Sequence, residues 1–332
     1  MTTLKQPYNL SISPFQGQHC ETTATGTLLS QLEIKLSEPM LFGLGQGLGF
    51  IYWRMKTMPQ PFLGGRIKPG QITNNLAKHL PFKIVIHETS SPAKAWLNLE
   101  TWLNQGRVVG LKLDSYYLEY FTQPIHFAGH YVACYGYNQT HAFLVDTKQQ
   151  GGLVQTSLSS LANARAAKGP MASKNLSYVF EKDIRSFSLH LAILNAIRAN
   201  AHDYINPPIQ NVGFLGIAKA SKHITGWFLN SRNQSAEFKM AAMLMERAGT
   251  GGALFRNFYR DFLEESYQLL GTHSLKEGYR QFTIIAHLWT QVSDLFMEIA
   301  DTGSELALHK ASDLLRQLSE LEYQAMMLLA KV

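Results

Sequence analysis

The spacing of apolar residues changes near residue 185, and this change constrains the fold more than any other feature of the chain. Before it, short apolar runs such as 82–87 and 107–114 alternate with helical patterns, which is typical of a mixed sheet-and-helix domain. After it, apolar residues recur at intervals of three and four, which predicts a bundle of helices. The sequence therefore predicts an α+β protein with one domain over residues 1–185 and an all-α helical domain over residues 186–332.

The composition excludes several classes of protein. Hydrophobic residues make up 45% of the chain and charged residues 16%, which suits buried cores and excludes disordered, collagen-like and solvated coiled-coil chains. The formal net charge is +6 without any run of Lys or Arg, so we expect no nucleic-acid partner. No apolar stretch reaches the roughly 18 residues that span a bilayer, and the opening MTTLKQPYNLSISPF lacks the apolar core of a secretory signal. We therefore expect a cytoplasmic protein without a membrane span.

The chain has two cysteines, Cys20 and Cys134, which are too few for a disulfide framework and are not spaced as a metal or redox pair. We therefore expect no metal site. Cys20 lies where short polar residues lead into a helix-forming stretch, and the dipole at a helix start favours the reactive thiolate. Packing as a small buried hydrophobe is the alternative interpretation of Cys20. Cys134 lies inside a predicted strand and is interpreted as inert packing.

A thiolate nucleophile needs a base within hydrogen-bond reach, and a β-hairpin predicted over residues 130–146 selects one of the 12 histidines. A loop of three residues at 138–140 places His130 diagonal to Asp146 on one face of the sheet, and a loop of five places them opposite each other. A loop with an even number of residues places the two side chains on opposite faces of the sheet. The pairing of His130 with Asp146 therefore depends on whether the number of loop residues is odd or even. His126 has no such partner in this hairpin and is interpreted as a surface or packing residue.

At these residues the sequence resembles known enzymes. Cys20 opening a helix, with His130 leading a strand and Asp146 ending one far downstream, resembles papain-like cysteine enzymes of the bacteriocin-processing peptidase type. A closer similarity, to the butirosin biosynthesis protein H-like acyltransferase family, covers nearly the whole chain. The segments that carry it are QHCET (18–22), LSEPMLFGLG (36–45), DSYYL (114–118), HYV (130–132) and, in the helical domain, 249–265.

The resemblance implies a papain-like cysteine-enzyme domain followed by a helical domain, with acyltransferase activity. It implies that an acyl group moves from an acyl carrier protein thioester, or a CoA thioester, to an amine of a small-molecule acceptor, forming an amide in a biosynthetic pathway. Cys20 is then the nucleophile, His130 the base and Asp146 the residue that orients the base. No cofactor belongs to the chain itself, because phosphopantetheine arrives on the acyl donor.

Other residues are predicted to complete this site. Pro14 stands where papain-like enzymes usually carry an oxyanion glutamine, so Gln16 and Gln18 are the predicted oxyanion donors. An amine acceptor must be shielded from water, which favours a partly apolar site with an acidic group. The predicted substrate-binding residues are Glu38, Tyr52, Tyr116 and Tyr117. Core packing is the alternative interpretation of the three tyrosines, and a solvated or capping carboxylate is the alternative interpretation of Glu38.

Two further functions stay open. A thiol peptidase or amidase would use the same catalytic residues and differ only in passing the acyl group to water. A catalytically silent module would bind a carrier protein without acting on it. Arg256 and Arg260, one helical turn apart, are predicted either to meet the acidic surface of a carrier protein or to lie on an ordinary solvated face. The number of subunits is also open, including a homo-oligomer.

Overall fold

A computed structural model describes residues 8–55, 58, 60–123, 125–169 and 171–332. The chain divides into two compact units. The first contains the chain up to Leu41 together with Leu76–Phe187, and the second contains Phe42–Asn75 and Ser188–Val332. Both units are therefore formed by segments that are not contiguous in the sequence.

The predicted domains, 1–185 and 186–332, differ from these units in the placement of one segment. Residues Phe42–Asn75 group with the second unit, although they precede most of the first unit in the sequence. The opening residues 1–7, on which the prediction of a cytoplasmic protein rests in part, lie outside the described residues.

The secondary structure follows the change in apolar spacing. In chain order the strands are β1 (Tyr8–Asn9), β2 (Leu48–Trp53), β3 (Phe62–Arg66), β4 (Phe82–His87), β5 (Val109–Leu113), β6 (His130–Tyr137), β7 (His141–Val145), β8 (Leu153–Ser157) and β9 (Ser177–Lys182). The helices are α1 (Cys20–Ser30), α2 (Glu38–Leu44), α3 (Gln71–His79), α4 (Pro92–Asn104), α5 (Leu158–Ala166), α6 (Leu189–Ile205), α7 (Gly213–Asn230), α8 (Gln234–Arg247), α9 (Arg256–Leu270), α10 (His273–Thr302) and α11 (Glu305–Leu329). This arrangement fits the predicted α+β class. In the described part of the chain, no helix has the length and apolar character needed to cross a bilayer.

The first unit is built on one antiparallel sheet. Among the described residues this sheet has 7 strands, in the order β4–β9–β5–β6–β7–β8, with β1 paired to β6. Alternate residues of the central strands face the core, where Leu111, Val132 and Cys134 are fully buried. Burial also raises the pKa of the Cys134 thiol to about 12. Cys134 thus packs in the core, as the sequence predicts.

Helix α1 is buried on all sides although much of its surface is polar. Residues 20–29 are all buried, and the helix packs on β5 and β6. The hydroxyls of Thr23 and Thr27 donate to carbonyls one turn earlier, at 2.7 and 2.8 Å, which satisfies them without water. A Cβ atom on Gly26 would lie 2.5 Å from the ring of Phe15, so only glycine fits there. Close packing thus fixes the helix that begins with Cys20.

The second unit combines the β2–β3 hairpin with helices α6 to α11. The buried face of α11 that the spacing predicts consists of Leu308, Ala311, Leu315, Leu318, Ala325 and Leu329. Glu322 interrupts this face because its own buried carboxylate accepts a hydrogen bond from Arg256 Nε at 2.8 Å. Tyr204 and Trp289 also donate to that carboxylate. Arg256 is fully buried, so both predictions for it, a contact with an acidic carrier protein and a place on a solvated face, are wrong.

Candidate active site

Cys20 is the first residue of α1, which places its thiol at the positive end of a helix. The preceding residue, His19, has extended backbone angles and is the N-cap; its side chain does not cap the first turn, and its Nδ1 lies 3.5 Å from the Thr22 hydroxyl. An N–H group at the first helical position has no acceptor within its own helix. The Cys20 N–H is therefore suited to bind an oxygen that approaches the sulfur. Cys20 is 7% exposed, so such an oxygen would enter a largely enclosed site.

A carboxylate from elsewhere in the chain caps the start of α1. Glu38, the first residue of α2, accepts hydrogen bonds from the N–H groups of Gln18 at 2.8 Å and His19 at 2.9 Å. The Thr22 hydroxyl donates to the same carboxylate at 2.7 Å. Burial raises the pKa of Glu38, and these hydrogen bonds act in the opposite direction. The Glu38 oxygens are thus engaged within the chain as a cap, which is the alternative that the sequence left open beside a contact with the substrate.

His130 and Asp146 form a buried pair. The imidazole Nε2 lies 2.8 Å from Asp146 Oδ2, and the two residues are 6% and 0% exposed. The imidazole also hydrogen-bonds with the Cys20 side chain; because Nε2 contacts Asp146, Nδ1 is the nitrogen left for the sulfur. Burial lowers the pKa of His130, but the charges and hydrogen bonds of Asp146 and Cys20 outweigh burial and raise it to about 10. The raised pKa favours the imidazolium form of the ring at neutral pH.

A β-bulge brings His130 and Asp146 to the same face of the sheet. At the turn, Tyr137 pairs with Ala142, which leaves an even number of residues between them. That register alone would place the side chains of His130 and Asp146 on opposite faces of the sheet. The register then shifts by one residue at Tyr135, which restores the odd parity. By this register Asp146 lies diagonal to His130, as the sequence predicts for a three-residue loop.

Two further donors hold Asp146 in place. The Thr147 N–H donates to Oδ1 at 2.6 Å, and the Tyr120 hydroxyl donates to Oδ2 at 2.8 Å. Phe121 contacts His130 edge-on, with ring centroids 5.4 Å apart. Sequence reasoning missed Tyr120 and Phe121 because they lie in an irregular segment, where neither spacing nor motif indicates the direction of a side chain.

The two predicted oxyanion glutamines both have exposed side chains. The Gln16 amide lies beside the turn that carries Asp146, since a Cβ atom on Gly152 would lie 3.6 Å from Gln16 Oε1. The Gly152 carbonyl in turn accepts the Asp146 N–H at 2.8 Å. Gln18 instead contributes its backbone N–H to Glu38. Gln16 thus lies beside the turn that follows Asp146, and the oxyanion role of both glutamines stays a prediction.

The predicted aromatic residues are divided between the two units. Tyr116 and Tyr117 lie in the first, in the turn after β5, and are 42% and 36% exposed. Tyr116 stacks on His126 with ring centroids 3.8 Å apart, and His126 Nδ1 lies 3.0 Å from the buried Asp114 carboxylate. His126 thus has a carboxylate partner outside the hairpin, which the sequence did not reveal. Tyr52 belongs to the second unit, where it is buried.

These groups together suit covalent acyl transfer. A thiol at a helix start, an imidazolium in contact with it and a carboxylate on the far nitrogen are the parts that a thiolate nucleophile requires. Among the residues that the structure describes, no three His, Cys, Asp or Glu side chains form a cluster that could hold a metal ion. The site is thus assembled from Cys20, His130 and Asp146 with support from Tyr120 and Glu38.

Two family models match separate parts of the chain. Residues 19–147 match the family model described as Butirosin biosynthesis protein H, N-terminal. Residues 159–329 match a second model, described as Domain of unknown function (DUF4872). No curated protein matches the chain. The first match includes Cys20, His130 and Asp146, so the assembled side chains all lie within it.

Proposed function

Because the chain belongs to the butirosin biosynthesis protein H-like family, which indicates an enzyme of biosynthesis, we propose that it is a cysteine-dependent acyltransferase. The acyl group comes from an acyl carrier protein thioester, or from a CoA thioester, and passes to an amine of a small-molecule acceptor. The observation that carries this proposal is the buried contact of His130 with both Cys20 and Asp146. We also propose a papain-like fold, because the helix with the thiol packs on the strand with the imidazole.

In the first half-reaction the Cys20 thiolate attacks the thioester carbonyl. A C–S bond forms between Cys20 and the acyl group, and the bond to the donor sulfur breaks. His130 gives its proton to the departing thiolate, so the donor leaves as a thiol and the imidazole becomes neutral. One thioester replaces another, so the acyl-enzyme forms at little cost in free energy.

In the second half-reaction the acceptor amine attacks the acyl carbonyl. Neutral His130 takes the proton that the amine loses, a C–N bond forms, and Cys20 leaves as a thiolate. Asp146 holds the ring at Nε2, which leaves Nδ1 for the reacting atoms. The thiolate and the imidazolium are thus restored for the next turnover.

The tetrahedral oxyanion needs hydrogen-bond donors beside Cys20. The N–H groups of Gln18 and His19 already bond to Glu38, so we assign the Cys20 N–H as the backbone donor. We assign the Gln16 amide as the second donor. A well-placed donor of this kind contributes about 3 kcal/mol to transition-state stabilisation. Glu38 then serves to hold the start of the helix rather than to bind the acceptor.

The acceptor amine binds as an ammonium cation and loses one proton to solvent before it attacks the acyl group, and the faces of aromatic rings bind cations. We assign this contact to the exposed rings of Tyr116 and Tyr117, with His126 stacked on Tyr116 to hold it. Tyr52 stays a candidate for substrate binding in the second unit. In this scheme the partner is an acyl carrier protein in the cytoplasm, and the chain itself needs no cofactor.

Intact-protein mass spectrometry with acyl-CoA and with an acyl carrier protein as donors tests the nucleophile. We expect the wild type to gain one acyl group and Cys20→Ala to gain none. Cys134→Ala is the matched control, because it removes the other thiol, which is fully buried in the core, and it should still be acylated. An adduct on Cys20→Ala, or no adduct on the wild type with either donor, would contradict the proposal.

Addition of small primary amines to the acylated protein then separates transferase from hydrolase. We expect loss of the adduct to yield the amide in preference to the free acid. Release of free acid alone with every amine would identify a thiol hydrolase that uses the same residues.

A further inference from the structure

Tyr120 makes a contact with the site that the scheme above does not use. It lies in the irregular segment between β5 and β6, with its half-buried ring packed against the core of the first unit. Its hydroxyl donates to Asp146 Oδ2 at 2.8 Å, and the same oxygen lies 2.8 Å from His130 Nε2. One carboxylate oxygen therefore accepts a hydrogen bond from a neutral hydroxyl and also contacts the charged imidazole.

The Tyr120 hydroxyl acts on this oxygen only as a donor. Burial, together with the charges of Asp146 and Cys20, raises the pKa of Tyr120 well above its ordinary value, so the hydroxyl keeps its proton. A hydrogen bond donated to a carboxylate stabilises its charge. The oxygen therefore attracts the imidazolium less strongly than it would without the hydroxyl.

Other groups hold the backbone around Tyr120. The carboxylate of Glu119 accepts the N–H of Ser157 at 2.7 Å and its hydroxyl at 2.8 Å. The Phe121 N–H donates to the Leu118 carbonyl at 3.1 Å. Loss of the Tyr120 hydroxyl alone should therefore leave this segment attached to the unit.

We infer, on the basis of the proposed function, that Tyr120 is a positioning residue that acts through Asp146 to limit how tightly the His130 proton is held. The first half-reaction needs the proton on His130, and the second needs the ring without it. A carboxylate that held the imidazolium too strongly would favour the first step and slow the second. The Tyr120 hydroxyl moderates the pair so that both steps proceed.

Few other groups influence the protonation of His130. The charged groups that act on His130 are Asp146, which follows β7, and Cys20 on α1. Beyond the sulfur, Tyr178 on β9 and Glu21 on α1 interact with each other, and Tyr178 also interacts with Cys20. Two further neighbours of His130, Leu113 across the sheet and Phe121, do not titrate. A change in the titration of His130 after loss of the Tyr120 hydroxyl therefore reports on Asp146.

The test compares Tyr120→Phe with the wild type in two measurements. The first is the titration of His130 by NMR, with its resonance identified by its absence in His130→Gln. The second is the single-turnover rate at which acylated Cys20 passes its acyl group to a primary amine, measured against pH. Tyr137→Phe is the matched control, because it removes a tyrosine-to-carboxylate hydrogen bond in the same unit, from Tyr137 to Glu100 at 3.2 Å.

In Tyr120→Phe we expect His130 to titrate at higher pH. Transfer to the amine near neutral pH should slow by roughly three- to tenfold, since a shift of one pKa unit is a tenfold change in the neutral fraction. Acylation of Cys20 should change by less than about twofold, because it uses the protonated ring. Tyr137→Phe should match the wild type in both measurements.

An unchanged titration of His130 in Tyr120→Phe would overturn the role of Tyr120. If both half-reactions then kept their rates, Tyr120 would be a packing residue. If both lost rate equally, its role would be a general structural one. A wild type that is never acylated would contradict the proposed function, whereas a shifted His130 titration in Tyr120→Phe would still support the action of Tyr120 through Asp146.

Discussion

Each unit contains a buried carboxylate that binds a cation and also accepts a hydrogen bond from a tyrosine hydroxyl. Both carboxylates are fully buried, and both cations are at most 6% exposed. The residues are Asp146 with His130 and Tyr120 in the first unit, and Glu322 with Arg256 and Tyr204 in the second. The two groups share a hydrogen-bond pattern, so their different roles must come from the cations.

The guanidinium of Arg256 has partners at all three nitrogens. It donates to Glu322 through Nε and Nη2, both at 2.8 Å, and through Nη1 to two backbone carbonyls. Arginine does not lose its proton in proteins, so this pair stays charged and static. His130 gives one nitrogen to Asp146 and keeps the other beside Cys20, and it can lose its proton. A buried ion pair can thus take part in catalysis when its cation can lose its proton next to a nucleophile.

Removal of the Asp146 carboxylate should produce the largest effect. In Asp146→Ala the imidazole loses its orienting partner and its counter-charge, so we expect acyl transfer to fall by about 10³- to 10⁴-fold. Asp146→Asn keeps an oxygen for the Nε2 hydrogen and should lose less activity. Single-turnover amide formation measures both variants, with circular dichroism to verify folding. An Asp146→Ala variant as active as the wild type would remove the distinction between the two ion pairs.

Loss of the Glu322 charge should act on stability instead. Glu322→Gln leaves the buried guanidinium of Arg256 without a counter-charge, so we expect the free energy of unfolding to fall by about 3–5 kcal/mol. Urea denaturation measures this change. The control is Glu320→Gln, an exposed position on the same helix, which should change stability by less than about 0.5 kcal/mol. A Glu322→Gln variant as stable as the control would show that the second pair is not structural.

The stability that each ion pair contributes should also depend differently on pH. The pKa of His130 rises from an ordinary value of 6.5 to about 10 in the folded protein, so its stabilising contribution is fully present below pH 6.5 and is lost as the pH rises to about 10. Arg256 stays charged over this range, so its pair with Glu322 contributes a constant amount. We expect the stability advantage of the wild type over His130→Gln to shrink between these pH values in urea denaturation. An advantage independent of pH would contradict a buried imidazolium.

Local patterns in the sequence were sufficient to predict where Cys20, His130 and Asp146 lie in the fold. Polar residues before a helix-forming stretch indicated Cys20 at a helix start, and two apolar runs around a polar turn indicated the hairpin of His130 and Asp146. The parity of that hairpin depends on the bulge at Tyr135, which no residue type in the sequence reveals.

Residues that act through distant partners could not be predicted. Tyr120 lies in an irregular segment, so nothing in its surroundings indicates that its hydroxyl reaches Asp146. Glu38 was interpreted either as a substrate-binding residue or as a solvated or capping carboxylate, and its partners at the start of α1 are visible only in the fold. The interruption of the α11 pattern by Glu322 was visible in the sequence, but its partner Arg256 was not.

The most direct test of the proposed chemistry is a pulse-chase of the acyl-enzyme. The wild type is acylated with a labelled thioester, freed of excess donor and mixed with a primary amine, and the peptide that contains Cys20 is followed by mass spectrometry together with the amide product. We predict that the label leaves the Cys20 peptide at the rate at which the labelled amide appears. Label on another residue, or amide formation while the Cys20 peptide stays unlabelled, would contradict a Cys20 acyl-enzyme.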